Sequence, residues 1–378
     1  MKAVEAVFWT SAFLIFFSYF GYPLSLWLLG LVHRKGHVKR PVHPHVTIII
    51  TAYNEERRIK DKLENTLSLI YPKEKLQILV ASDGSTDRTN GITESYGDSG
   101  VELLAIKTRA GKESAQRDAM KEARGEIIVF TDVATIIEPN GIEEIVSNFA
   151  DPEIGCVSSE DRLLDRDGKP SGEGFYVRYE MMLRKLESRV NSLVGLSGSF
   201  FAARRAVCID LSPDMQSDFR TLLNSRKLGL RGVSDPAVTG SYLDVSEKSR
   251  EFDRKVRTVL RGLTVFFRHL EFLNVFRYGF FSYQYSCHKL LRWLVPYLMI
   301  AALVANAFLL WESPLYPVMF ILQILFYGFA LLGWRKNGEC PKLLKIPYYF
   351  VSVNLSIFVA WMKYLGNQRV VMWNPSDR

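Results

Sequence analysis

The sequence predicts an α/β domain built on a mostly parallel sheet, held between an N-terminal transmembrane helix and a C-terminal cluster of transmembrane helices. Three observations predict it. From Val46 to about Gly240, short β-branched runs alternate with helical patterns, the signature of βαβ units. An uncharged apolar stretch, Phe8 to Val32, precedes that region, and three more apolar stretches follow it: Trp293 to Trp311, Leu315 to Trp334 and Ile346 to Leu365, the last with Lys363 near its end. At 378 residues the chain also exceeds the usual size of one domain, so a soluble core plus a second component is expected.

The first apolar stretch is longer than the roughly 20 residues a bilayer-spanning helix needs. A cleaved signal peptide is the competing reading, but a signal h-region is about 7–15 residues and no small-residue cleavage site follows here. Next comes His33-Arg34-Lys35-Gly36-His37-Val38-Lys39-Arg40, whose Lys and Arg residues mark the cytoplasmic side and place the N-terminus outside. Arg335, Lys336, Lys342 and Lys345 make the connection between the third and fourth spans cytoplasmic too. Four spans would leave the tail Arg369–Arg378 outside, although it has the look of a cytoplasmic tail; an inside tail requires a re-entrant last segment or one span fewer.

The net charge of +8 raises nucleic acid as a partner, but much of the excess sits in these juxtamembrane loops, where anionic lipid headgroups are the simpler one. Nucleic-acid binding is not expected. The four cysteines, Cys156, Cys208, Cys287 and Cys340, are far apart and lack CxxC spacing, so neither disulfides nor zinc is indicated. All six histidines lie between His33 and His45 or at His269 and His288. The chemistry of the middle region therefore rests on carboxylates and cations.

Strands are expected at Val46–Ile50, Leu76–Val80, Val101–Ile106 and Glu126–Phe130, and a helix from Glu55 to Ile70. The charged, glycine-bearing stretch from Glu160 to Gly174 reads as a loop. Ligands of such sheets bind beyond the carboxyl ends of the strands. There, Thr51-Ala52-Tyr53-Asn54-Glu55 and Ser82-Asp83-Gly84-Ser85 offer an aromatic ring and two carboxylates to a nucleobase and ribose, although Asp-Gly-Ser alone is an ordinary turn. Lys112, in Gly111-Lys112-Glu113, stands near a helix N-terminus where a phosphate is favoured; a surface lysine is the plain alternative. Asp132 ends a fully apolar strand, where an ionised carboxylate needs a cation or donor. A hard metal holding a diphosphate would supply one, and an N-cap role is the alternative.

In order and spacing these segments resemble a membrane-bound family 2 glycosyltransferase of the polysaccharide-synthase type, akin to hyaluronan and cellulose synthases. Ala52-Tyr53-Asn54-Glu55 is similar to its first nucleotide-contacting motif, Ser82-Asp83-Gly84-Ser85-Thr86-Asp87 to its second, and Gly111-Lys112 to its diphosphate-contacting lysine. Thr131-Asp132-Val133-Ala134 stands where a DxD metal motif would be. Gly195-Leu196-Ser197-Gly198-Ser199-Phe200 is similar to its acceptor-side glycine motif, and Ser217-Asp218-Phe219 to the segment bearing its catalytic base.

The resemblance implies a GT-A fold over residues 41–262. The apolar and basic runs place the N-terminal span at 1–40 and the remaining spans at 293–378, and the aromatic-rich stretch Phe266–Tyr285, with scattered Arg and His, fits interfacial amphipathic helices at 263–292. The resemblance further implies an inverting hexosyltransferase of the plasma membrane with a cytoplasmic catalytic domain, a nucleotide-sugar donor carried on UDP, a glycan or lipid acceptor, and Mg2+ or Mn2+ held by Asp132 with a neighbour such as Asp83. Ala52, Tyr53, Glu55, Asp83, Lys112 and Asp132 would bind donor, Gly198 and Ser199 would face acceptor or diphosphate, and Asp218 would be the base.

Two departures stand out. Ala134 replaces the second aspartate of DxD, and Arg254-Lys255-Val256-Arg257-Thr258 stands where processive members carry QxxRW. Arg250, Arg254, Arg257 and Arg261 share one helical face, which suits a diphosphate, with Arg254 and Arg257 nearest the expected motif, or equally lipid headgroups and the acids Glu247, Glu251 and Asp253. Two other functions compete: transfer of one sugar to a polyprenyl phosphate or other lipid, and a catalytically silent scaffold of an export complex.

Overall fold

The computed structural model describes residues 1–164, 174–209, 211–243, 248–335 and 341–369. Two compact units result, one made of Leu28–Ser246 and the other of Met1–Trp27 with Glu247–Arg369.

The first unit is built on an eight-stranded sheet. Its strands are β1 (Val46–Ala52), β2 (Leu76–Asp83), β3 (Val101–Ile106), β4 (Ile127–Asp132), β5 (Ile136–Ile137), β6 (Ile154–Leu164), β7 (Phe200–Arg204) and β8 (Arg231–Leu243), in the order β3-β2-β1-β4-β7-β6-β8-β5. β1 is buried along its whole length, as expected of a strand covered on both faces. Alternate residues go to opposite sides: Ile48, Ile50 and Val129 enter one core cluster, Ile49, Ile128 and Phe130 the other.

The sheet is mixed. β1 pairs in parallel with β2 and β4, β2 with β3, and β6 with β8, whereas β7 runs antiparallel to both β4 and β6, and β5 antiparallel to β8. Phe130 stacks on its cross-strand partner Phe201 with ring centroids 4.8 Å apart.

Several expectations need correction. The first helix spans Ile59–Leu67, not Glu55 to Ile70. Asn54 takes a left-handed backbone, φ 49°, which Asn tolerates better than most residues, and this turns the chain before a helix can start. The stretch from Glu160 to Leu164 is not loop but the end of β6, paired with Thr239–Leu243 of β8; residues 165–173 lie outside the described residues. The strands β1, β2 and β4 also run farther toward their carboxyl ends than the apolar runs suggest.

At the base of the first unit, Arg231 is almost fully buried. Its guanidinium donates to the carbonyls of Asn191 (2.6 Å), Gly36 (3.1 Å), Lys35 (3.0 Å) and Ser188 (3.1 Å). Two of the basic residues read as lipid-facing are engaged by acids of this unit: Lys35 with Glu153 (3.1 Å), and Lys39 with Glu144 and Asp235 (both 2.6 Å).

Among the described residues, four helices are long and apolar enough to cross a membrane: Lys2–Val32, Phe280–Leu309, Leu315–Arg335 and Leu344–Leu365. The second begins well before Trp293, so His288, Lys289 and Arg292 belong to it. Buried Arg292 lies 5.5 Å from the centre of the Tyr19 ring. Polar pairs join the helices of this unit, including Glu5 with Tyr316 (2.7 Å) and Tyr19 with Asn354 (3.2 Å), and interhelical hydrogen bonds of this kind stabilise apolar bundles. Lys248–Arg268 packs on the last helix, with Phe267 stacked on Tyr364. In the aromatic stretch Phe266–Tyr285, Phe266 stacks on Tyr285 at 4.7 Å and both are buried, whereas Phe276 is exposed. The tail from 370 and residues 336–340 lie outside the described residues, as do the side chains of Arg250 and Glu251.

Gly125, where the chain enters β4, passes so close to β1 that an added Cβ would lie 2.4 Å from the Thr47 nitrogen. Backbone cannot yield as a side chain tip can, so Gly125→Ala is expected to cost about 1–3 kcal/mol, read as a lowered thermal midpoint of the solubilised protein.

Candidate active site

The register of the parallel strands brings the expected residues to one edge of the sheet: Thr51 lies opposite Asp132, and Ala52 opposite Ser82. The loops leaving these ends are tied by their own side chains. Asn54 Oδ1 accepts from Thr86 N–H (2.8 Å), Thr89 Oγ1 from Glu55 N–H (2.8 Å), and Asp87 Oδ2 from Glu56 N–H (3.0 Å). Much of the Ser82–Asp87 motif thus works as scaffold for the loop that bears Tyr53.

Asp83, only 2% exposed, accepts the N–H groups of Ala110 and Gly111, each at 2.8 Å. Gly84 and Gly111 adopt φ of 69° and 98°. At Gly84 a Cβ would lie 2.7 Å from Arg109 N, so glycine is needed for the two loops to meet. This contact positions the Arg109 guanidinium 3.7 Å from the centre of the Tyr53 ring, close enough for a cation–π interaction. It also sets the start of the helix Lys112–Glu122.

Lys112 then reaches across the site. Its ammonium forms a very short ion pair with Asp132 and donates to the carbonyl of Gly198 (2.9 Å). The Asp132 N–H donates to the carbonyl of Ser199 (3.0 Å). The Ser199 and Ser197 hydroxyls donate to Asp161 (3.0 and 2.6 Å), which Arg184 approaches at 3.7 Å. Asp218, in the first turn of the helix Ser217–Lys227, closes the far side: a Cβ on Gly198 would lie 3.2 Å from its Oδ2. Among the described residues Asp218 has no hydrogen-bond or ion-pair partner.

Two ionisable groups lie under this surface. Glu55 pairs with Arg58 at 2.6 Å; burial pushes its carboxyl up to about 7 against the pull of Arg58, with Asp132 adding to the rise. Lys62 is 3% exposed, and burial lowers its ammonium to about 7 while Asp132 opposes the shift.

Of the residues expected from the sequence, Ala52, Tyr53, Glu55, Asp83, Lys112, Asp132, Gly198, Ser199 and Asp218 converge here. Arg254 and Arg257 lie on the helix Lys248–Arg268 of the other unit. Arg109, Asp161 and Lys62 are additions. Asp161 hides in the stretch read as loop, whereas Lys62 is detectable as a charge on the apolar face Ile59, Leu63, Thr66.

Among the described residues no three His, Cys, Asp or Glu side chains cluster to hold a metal. Asp83, the neighbour expected beside Asp132, accepts one backbone amide on each carboxylate oxygen. The Asp132 carboxylate engages Lys112 through Oδ1 and makes no other hydrogen bond or ion pair among the described residues. One hard carboxylate plus substrate phosphates is an ordinary way to bind Mg2+, so the residues fit an ion brought largely by its phosphate ligand.

Replacing Asp83 by Asn would set an NH2 group against one of the two N–H donors. Asp83→Asn is expected to lose about 1–3 kcal/mol of stability, checked by thermal unfolding without any ligand.

Comparison with known proteins agrees with this geometry. Residues 47–211 match the model of glycosyl transferase family 2. The chain is 24% identical over 193 residues to the poly-beta-1,6-N-acetyl-D-glucosamine synthase of Staphylococcus aureus (strain COL), a match covering 50% of this chain and 46% of the relative. It is 29% identical over 128 residues to the probable glycosyltransferase YdaM of Bacillus subtilis (strain 168), covering 32% and 30%. The chain thus spans about half the length or less of these curated relatives. Among solved structures, a mannosyltransferase from Pyrobaculum calidifontis, in complex with GDP-Man and Mn2+, superposes with a TM-score of 0.73 at 22% identity, over 96% of this chain and 99% of that one. Sequence and fold comparisons coincide: residues 47–211 are similar to glycosyl transferase family 2, and they lie on a GT-A-like sheet with helices at both ends that are apolar enough to span a membrane.

Proposed function

We propose that the protein moves a sugar from a UDP-linked donor to a glycan acceptor at the cytoplasmic face of the plasma membrane, with inversion, as a step in exopolysaccharide synthesis. The observation that carries this reading is the contact of Lys112 with both Asp132 and Gly198, which joins the donor-side and acceptor-side motifs in one site beside Asp218. The similarity to a poly-N-acetylglucosamine synthase supports a glycan product, and the basic segments flanking the apolar helices support a multi-pass, inward-facing arrangement.

Tyr53 and Arg109 form the wall for the nucleobase. Lys112 offers its ammonium to the departing diphosphate, and a Mg2+ or Mn2+ ion bound through Asp132 would neutralise further charge developing there. Asp218 accepts the proton of the attacking hydroxyl as that oxygen bonds to the anomeric carbon and the diphosphate leaves, so no covalent sugar–enzyme intermediate is needed. A second reading, one sugar added to a lipid acceptor, is favoured by Arg254-Lys255-Val256-Arg257-Thr258 in place of QxxRW.

Purified protein in lipid nanodiscs, supplied in turn with labelled nucleotide-sugars, should release UDP from one of them in the presence of Mn2+ or Mg2+; a polymeric product supports the first reading and a single addition the second. Asp218→Asn should keep nucleotide binding and lose about 10²–10⁴ in transfer rate, and undiminished turnover would remove Asp218 from the mechanism. Asp132→Asn should weaken nucleotide binding only when the divalent ion is present, measured by titration calorimetry with and without chelator.

A further inference from the structure

Lys62 lies on the buried face of the helix Ile59–Leu67, between Ile59 and Leu63, both fully buried. Burying an ammonium costs several kcal/mol unless it is well partnered, and here its hydrogen bonds go to two uncharged oxygens: Thr131 Oγ1 at 3.0 Å and the Thr135 carbonyl at 2.6 Å. A methionine would fill similar space without that cost, so packing alone does not account for the lysine. The two acceptors flank one feature. Thr131 precedes Asp132 and Thr135 closes the turn after it, where Thr135 N–H donates to the Asp132 carbonyl at 3.1 Å. Ser199 holds the same turn from the side, accepting from Asp132 N–H and from Thr135 Oγ1 at 3.3 Å. The turn also carries Ala134, where a second carboxylate would have helped to orient an ion.

We propose that Lys62 is a positioning residue of the donor site: from beneath, its amino group pins both ends of the Thr131–Thr135 turn and thereby sets the Asp132 carboxylate for a divalent ion and the diphosphate it carries. With Ala134 in the loop, orientation of the single remaining carboxylate falls to this buried clamp. The inference rests on the reading of Asp132 as the ion-binding residue.

The test compares wild type, Lys62→Met, Thr131→Val and the double variant for thermal stability without ligand and for UDP and GDP affinity with Mn2+ and with EDTA. Lys62→Met is expected to melt no lower than wild type, because a buried charge is removed, yet to bind nucleotide with Mn2+ about 10–100-fold more weakly, the usual cost of losing a residue that orients a metal ligand, with affinity in EDTA unchanged. Thr131→Val should reproduce part of the loss, and the double variant should fall short of the sum. Wild-type affinity with Mn2+ in Lys62→Met overturns the proposal, as does an equal loss with Mn2+ and EDTA. Should Lys62→Met fail to fold, Lys62→Gln is put through the same comparison, and a wild-type-like Mn2+ response there overturns the clamp as well. If wild type itself shows no Mn2+-dependent binding of either nucleotide, the Asp132 reading fails and the inference falls with it, an outcome distinct from a defect confined to the variants.

Discussion

β1 is hydrogen-bonded along both edges to parallel partners, from Val46↔Leu76 to Ala52↔Ser82 on one side and from Val46↔Ile127 to Thr51↔Asp132 on the other. The placing of Tyr53, Asp83 and Asp132 follows from that double pairing. Parallel strands in register end together, so the loops after Ala52, Asp83 and Asp132 leave the sheet at one level. Each loop is then short of backbone partners, and the polar side chains of its neighbours supply them: Asp83 binds the amides of Ala110 and Gly111, and Asp87 binds that of Glu56. Such loops hold side chains for chemistry because a rigid sheet has already fixed where they begin.

The charges at the site sit in two layers. Lys112 and Asp132 face outward and neutralise each other, while Glu55 and Lys62 lie below them, out of water. Burial disfavours the charged form of both lower groups, so each costs stability, but over different ranges. Glu55 holds its proton up to about 7, against 4.5 when unfolded; the native state binds the extra proton in between, and stability from this group falls as pH rises across that window. Lys62 gives up its proton near 7, against 10.5 when unfolded; there the unfolded chain binds the extra proton, and stability from this group rises with pH above about 7. The two penalties meet near neutrality.

How much of this could be read beforehand depends on what kind of pattern each part has. Val46–Ile50, Leu76–Val80 and Ile127–Phe130 are legible as strands because they are buried almost throughout and so read as mostly apolar runs. The second half of β6 is not, because Glu160, Asp161 and Arg162 look like loop until β8 is there to pair with them. The start of the helix after β1 is not legible, because it is set by the backbone of one residue, Asn54, and by hydrogen-bond partners some thirty positions away, Thr86, Asp87 and Thr89. At the site, residues belonging to a motif are legible in advance, and Lys62 shows as a charge on an apolar helix face, whereas Arg109 and Asp161 are not legible. Their importance lies in what they touch across the fold, and spacing along the chain carries no trace of it. The apolar helices are legible from composition, but the start of the one beginning at Phe280 is not, because His288, Lys289 and Arg292 interrupt its apolar run.

Arg231 has a consequence for how the segment before β1 behaves. Four carbonyl groups converge on one guanidinium, two of them from Lys35 and Gly36. A planar fork with fixed donor directions measures position as well as supplying charge. The residues leading into the sheet are therefore fixed at Lys35 and Gly36 within its own unit: drawing those two carbonyls out of reach would cost a buried guanidinium half its partners.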